Sequence, residues 1–236
     1  MKKTLEEKTL EKVKESYDSI AKGFDQTRRI LWKEFALFLP YLKKGMTVLD
    51  AGCGNGRLFE YLQKRGIEYL GVDQCEELIE IAKKRYPETK FQVQKLQELN
   101  VSAETFDAIF CIAALHHLPS IKLRTRALER LRTALKKDGI LILTVWNLRQ
   151  KKYCGAWIRA GFSCLNNFGL KYSWNDLWIR WGKNKEKRYY HAFSPKELKK
   201  LFDPKLWNIR DFYFTRDGNK VEWKQSYNLC LVLSKC

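Results

Sequence analysis

The chain has 236 residues, 45% of them hydrophobic and 31% charged, a composition that supports a buried core and excludes a collagen, a disordered tail or a disulfide miniprotein. Forty-five Lys and Arg against 27 Asp and Glu leave a formal charge of +18, a field that favours polyanions. The longest apolar stretches, 108–115 and 139–146, have the length of buried strands and fall well short of the roughly 20 residues a membrane span needs.

The first residues alternate acids and bases without an apolar run, which does not read as a signal peptide. Cys53, Cys75, Cys111, Cys154, Cys164, Cys230 and Cys236 are scattered and never in C-x-x-C spacing. They read as reduced thiols of a cytoplasmic protein, with no metal site expected.

Leu5, Thr9, Val13, Tyr17 and Ile20 recur at helical spacing, which predicts an amphipathic helix over 4–22, and a second helix is predicted over about 27–42. From Met46 short apolar strands alternate with amphipathic helices: strands at 47–50, 68–72, 91–93, 106–112 and 140–145, helices at 56–65, 76–85 and 121–136. That alternation predicts βαβ units around a parallel sheet covered on both faces. Residues 147–187 break the pattern. They are aromatic and basic, with no clear strand, and read as an insertion in which Trp174, Trp178 and Trp181 are either a buried helical stripe or a stacking platform. Ser194, Pro195 and Glu197 predict a capped helix start, and two β-rich runs, 207–215 and 226–233, separated by Asp217-Gly218-Asn219, are expected to pair antiparallel. The whole is read as one domain, 1–236, with a helical cap over 1–45 and a basic aromatic insertion over 147–187.

After the first parallel strand comes V-L-D-A-G-C-G-N-G-R, residues 48–57. Gly52, Gly54 and Gly56 allow a sharp turn and a close ligand approach, and Asp73 closes the next strand where an acid can accept both hydroxyls of a ribose. Asp50 ahead of the glycines suits a cationic ligand without phosphates.

This segment, with G-V-D at 71–73, resembles the cofactor motif of class I S-adenosylmethionine-dependent methyltransferases, and the resemblance continues through F-D-A-I-F-C-I-A-A-L-H-H-L at 106–118 and L-K-K-D-G-I-L-I-L-T at 135–144. It implies a Rossmann-like α/β fold, doubly wound, with a mostly parallel seven-stranded sheet and an antiparallel C-terminal hairpin. It implies S-adenosylmethionine as cofactor, held by Tyr17, Asp50, Gly52, Gly54, Gly56, Asp73, Leu96 and Cys111. Where many members carry an acid near the adenine, this chain has Gln94-Lys95-Leu96, which leaves the Leu96 backbone amide for that contact.

Four further blocks, Y-D-S-I-A-K-G-F-D-Q-T-R-R-I-L-W at 17–32, A-L-H-H-L-P-S at 114–120, L-T-V-W-N-L-R-Q at 143–150 and R-Y-Y-H-A-F at 188–193, resemble the tRNA wobble-uridine carboxymethyl methyltransferase family. That resemblance implies esterification of a carboxymethyl side chain on wobble uridine, with Arg28, His116, Arg188 and His191 on the acceptor side. It implies the tRNA anticodon loop as partner, and eukaryotic members require a small activator subunit. A carboxylate is already ionised at neutral pH, so its attack on a sulfonium methyl needs no general base. Residues 151–188 hold nine Lys or Arg against Asp176 and Glu186, and the helix with Lys122, Arg124, Arg126, Arg130 and Arg132 is either a second basic face widening the same surface or a plain solvated face. The rival readings are a small-molecule methyltransferase acting on a carboxylate or phenol, and a non-catalytic RNA-binding partner subunit.

Overall fold

The computed structural model describes residues 3–27, 32–166, 173–181 and 186–236. A long amphipathic helix, α1 (Leu5–Thr27), opens the chain and runs five residues past its expected end. Of the expected second helix, 28–31 lie outside the described residues, and the described remainder forms α2 (Phe35–Phe38) and a 3-10 turn at Leu39–Tyr41, where Pro40 ends the α-helical ladder. The alternating stretch then follows as β1 (Thr47–Ala51), α3 (Phe59–Leu62), β2 (Glu68–Asp73), α4 (Glu76–Arg85), β3 (Lys90–Val93), β4 (Phe106–Ile112), α5 (Ile121–Ala134) and β5 (Leu135–Trp146). The Ser120 hydroxyl caps α5 by accepting from Leu123 N, which fixes where that helix leaves the 3-10 turn at Leu115–His117.

The chain closes with α6 (Cys154–Asn166), β6 (Asp176–Trp181), β7 (Glu186–His191), α7 (Pro195–Lys200), β8 (Trp207–Arg216), the two-residue β9 (Asn219–Lys220) and β10 (Asn228–Lys235). Ser194 and Glu197 form the expected capping box on α7. The main sheet has the order β3-β2-β1-β4-β5-β10-β8-β9. Strands β1 to β5 are parallel, and β10 runs antiparallel between β5 and β8. Seven long strands match the expectation, and β9 adds a short eighth. One hydrophobic cluster, with Leu131, Leu143, Phe193 and Leu231, fills one face of the sheet, and another, with Phe38, Leu62, Phe91 and Ile142, fills the other.

The insertion is not strandless. β6 and β7 pair antiparallel as a separate hairpin, so Trp178 lies on a strand and the helical-stripe reading fails. Leu177, Ile179 and Tyr190 pack with Ala156 and Ala160 of α6 into a satellite core, whereas Trp178 is half-buried under Lys12, 5.7 Å from its ring. The aromatic residues on both faces hide the period of two. Trp174, before the hairpin, is exposed and lies against Gly161. The thiols of Cys53, Cys75, Cys111, Cys154, Cys230 and Cys236 are free, and the Cys164 side chain lies outside the description. Among the described residues, no helix is long and apolar enough to cross a membrane.

Candidate active site

Strand order reverses between β1 and β4, and open α/β sheets place ligands at the carboxyl ends of strands beside such a switch. A cavity of about 810 Å³ opens there. Its walls come from the ends of β1 (Asp50), β2 (Asp73), β4 (Ile112) and β5 (Trp146), and from α1 (Tyr17, Phe24) lying across them. Because β10 is antiparallel, its first residue, Asn228, reaches the same end of the sheet.

Gly52, Gly54 and Gly56 have φ of +91°, +54° and +75°, the left-handed region that other residues enter at a cost. They serve different purposes. A Cβ on Gly52 would stand 2.6 Å from the Cβ of Ala114, and Gly54 lines the cavity. Gly56 does not line it; a Cβ there would press on Phe91 at 3.0 Å, so this glycine lets the loop pack on β3 and α4 and is corrected from ligand contact to packing. Ala113, also at positive φ, is held by its N–H donating to the Thr144 carbonyl (3.0 Å) and hydroxyl (3.1 Å).

Asp73 accepts from Gly54 N and from Cys75 N, each at 2.9 Å, one bond per oxygen. Burial raises its pKa, and those two backbone donors work against the rise. Asp50 is buried and accepts from the Tyr69 hydroxyl at 2.8 Å. Burial pushes it up to about 7, although the Tyr69 bond favours the anion. A cation entering the cavity favours ionised Asp50. Binding of a cationic ligand is therefore expected to tighten as pH rises from 6 to 8, by up to ~10-fold per unit below pH 7. Titration calorimetry at several pH values checks this, and an affinity flat across that range would show that Asp50 does not ionise on binding.

Of the residues expected at the adenine end, Leu96 lines the cavity. Gln97, which the sequence reading missed, lines it too, and its buried amide nitrogen has no hydrogen-bond partner among the described residues. Cys111 lies in the hydrophobic cluster and not on the cavity wall, because alternation along β4 turns its side chain into the core.

On the opposite wall Arg188 is 1% exposed. Its guanidinium stacks 3.6 Å from the Tyr17 ring centroid, and it donates to Ser16 Oγ (3.1 Å), Ser16 O (3.5 Å) and the Tyr190 hydroxyl (3.4 Å). None of these is a carboxylate. The Tyr17 hydroxyl lies 2.9 Å from His117 Nε2, and His117 Nδ1 lies 3.0 Å from the Tyr189 carbonyl. Burial first, and then Arg188, push His117 down to about 3.

The expected His116 is not at the cavity. It is fully buried behind Trp146, accepting from Trp146 N at Nδ1, and burial holds it neutral. The histidine on the wall is its neighbour His117. His191 is likewise away from the cavity. Its ring sits between Asp176 Oδ1 (2.7 Å) and Glu197 Oε1 (2.6 Å), which ties the β6–β7 hairpin to α7. Arg28 lies outside the described residues. The structure thus brings Tyr17, Asp50, Gly52, Gly54, Asp73, Leu96 and Arg188 together, and adds His117, Trp146, Gln97 and Asn228. A polar Asn opening the apolar run of β10 is a sequence signal that could have found the last of these, and the sequence reading did not use it.

A family model described as a methyltransferase domain matches residues 24–204. The tRNA (carboxymethyluridine(34)-5-O)-methyltransferase of Saccharomyces cerevisiae is 30% identical over 206 residues, 86% of this chain and 68% of that protein. The Arabidopsis thaliana protein of that name is 34% identical over 159 residues, 61% of this chain, and the match takes in 38% of its own length. This chain spans well under half of that relative. Among solved structures, an S-adenosylmethionine-dependent methyltransferase from Methanosarcina mazei superposes with a TM-score of 0.69 at 24% identity, covering 84% of this chain and 96% of that one. A Haloferax volcanii methyltransferase in complex with the Trm112 methyltransferase activator superposes with a TM-score of 0.62 at 16% identity, covering 92% and 96%.

Proposed function

Since the chain belongs to the methyltransferase-domain family, we propose that it methylates a carboxylate, that of a 5-carboxymethyl group on a tRNA wobble uridine, with S-adenosylmethionine as donor. The cavity fits that cofactor: Asp73 for the ribose, Gly52 where any side chain would collide, Leu96 and Gln97 for the base, and Asp50 for a cationic end. When bound, the cofactor supplies an electrophilic methyl on a sulfonium. The chain's own residues then position the acceptor and exclude water. They need not remove a proton, which accords with a cavity histidine held neutral.

The observation that carries the substrate class is Arg188, a buried guanidinium on the cavity wall with no carboxylate beside it among the described residues. An isolated buried cation is costly, and an acceptor carboxylate would supply its counter-charge. Lys151, Lys152, Arg159, Arg180 and Lys187 are exposed around the insertion and support a phosphate-rich partner. Lys171, Lys183 and Lys185 lie outside the described side chains, and Arg124 is buried over Phe193, so it leaves the second basic face. A small activator subunit belongs to the same reading, with the Haloferax volcanii complex as its support. The open sheet edge at β3, where Val93 is exposed, is the surface it would take.

The test is methyl transfer from labelled S-adenosylmethionine to tRNA carrying unesterified 5-carboxymethyluridine, with and without a Trm112-type activator. A methyl ester on that nucleoside, falling steeply between about 50 and 200 mM salt, is the expected product. Transfer to small carboxylic acids but to no tRNA under either condition would overturn the substrate.

A further inference from the structure

Asn228 is 4% exposed, yet it lines the cavity. Its amide nitrogen donates to Oε1 of the buried Glu34 (3.4 Å) and to Oγ1 of Thr215 (3.2 Å). A carboxylate accepts, so the Glu34 contact decides which end of the amide is nitrogen. Both amide hydrogens are then engaged, and the oxygen, which takes no hydrogen bond from a described residue, is the end left for a ligand.

Trp146 is the register partner of Asn228 across β5 and β10. Paired side chains in an antiparallel ladder start about 5 Å apart on the same face. Trp146 also lines the cavity, and its indole is braced from behind by Tyr190, stacked at 5.2 Å and 18°, and by His116 at 5.5 Å. A rigid aromatic surface and a fixed hydrogen-bond acceptor therefore stand side by side at the cofactor end of the sheet.

We propose that Trp146 and Asn228 form the seat of the acceptor's heterocycle, a pyrimidine ring lying against the indole with an N–H of its edge donating to Asn228 Oδ1. Uracil offers that hydrogen at N3. Cytosine has a lone pair at N3 and would set acceptor against acceptor, so this seat distinguishes the two bases. The inference rests on the uridine reading above and deepens it: Arg188 meets the charged substituent, and Asn228 reads the ring.

The test uses anticodon stem-loops carrying 5-carboxymethyluridine, its N3-methylated form, or 5-carboxymethylcytidine, presented to the wild type and to Asn228→Ala and Asn228→Ser, with the activator present. Cofactor affinity, expected within about twofold of wild type, serves as the check on folding. N3-methylation and the cytidine swap should each lower wild-type kcat/KM by about 30-fold or more, the scale of leaving a buried polar group unmatched. In the variants, which have already lost the acceptor, N3-methylation should cost less than about threefold. Equal turnover of the N3-methylated and unmethylated loops by the wild type would overturn the inference and leave the proposed function standing. Equal losses in wild type and folded variants would overturn it as well. Should both variants fail to bind cofactor, the two wild-type comparisons decide. No esterification of any uridine loop by cofactor-bound wild type would instead sink the uridine reading, and this seat with it.

Discussion

Asp73→Ala is expected to lower cofactor affinity by at least ~100-fold, measured by titration calorimetry, because one carboxylate holds the loop and faces the ligand at once. Its oxygens already accept from Gly54 N and Cys75 N, and their remaining lone pairs are what a ribose diol would use. Asparagine should fare little better. Its single oxygen can satisfy one of those backbone donors, and its NH₂ would oppose the other N–H. A loss of less than about tenfold in a variant that melts like wild type would remove Asp73 from the ribose.

Arg188→Met is expected to keep cofactor affinity within about threefold and to lower methyl transfer at saturating cofactor by ~100- to 1,000-fold, the range for removing one preorganised donor from a reaction centre. Methionine roughly keeps the volume and the stacking on Tyr17 while deleting the charge. Removing a buried cation that has no counter-ion among the described residues should not lower the melting temperature, and a rise is the sharper expectation. Arg188→Lys should recover part of the transfer, since it restores charge without the fork that grips Ser16 and a carboxylate together. Lost cofactor affinity with intact turnover at saturation would move Arg188 to the cofactor side.

The alternating core was legible because each segment there obeys one period. The helix expected over 76–85 is α4 to the residue, and the strand expected over 106–112 is β4. The insertion was not, because Trp178 and Trp174 simulate a helical stripe while the true alternation, Leu177 and Ile179 inward, is two residues long and flanked by aromatic neighbours. The part of the site proposed for the cofactor was legible for a related reason: Asp50, Gly52, Gly54 and Asp73 are close in sequence to the strands that present them. The part proposed for the acceptor is assembled by long-range register. Which of His116 and His117 faces the cavity depends on a 3-10 turn and on Tyr189 from β7, and Asn228 arrives only because β10 runs backwards between β5 and β8.

The contact between Tyr17 and His117 has a direction. The Tyr189 carbonyl can only accept, so the proton of His117 sits on Nδ1, Nε2 is left as a bare lone pair, and the Tyr17 hydroxyl must point its hydrogen at the ring. Tyr17 therefore turns electron density, not a proton, to whatever lies beside it, while Arg188 a few ångströms away turns only hydrogens. On the proposed reading the two would sort charge between them: a positive methyl donor would be welcome at the phenol oxygen and an anionic acceptor at the guanidinium, and neither would profit by taking the other's place.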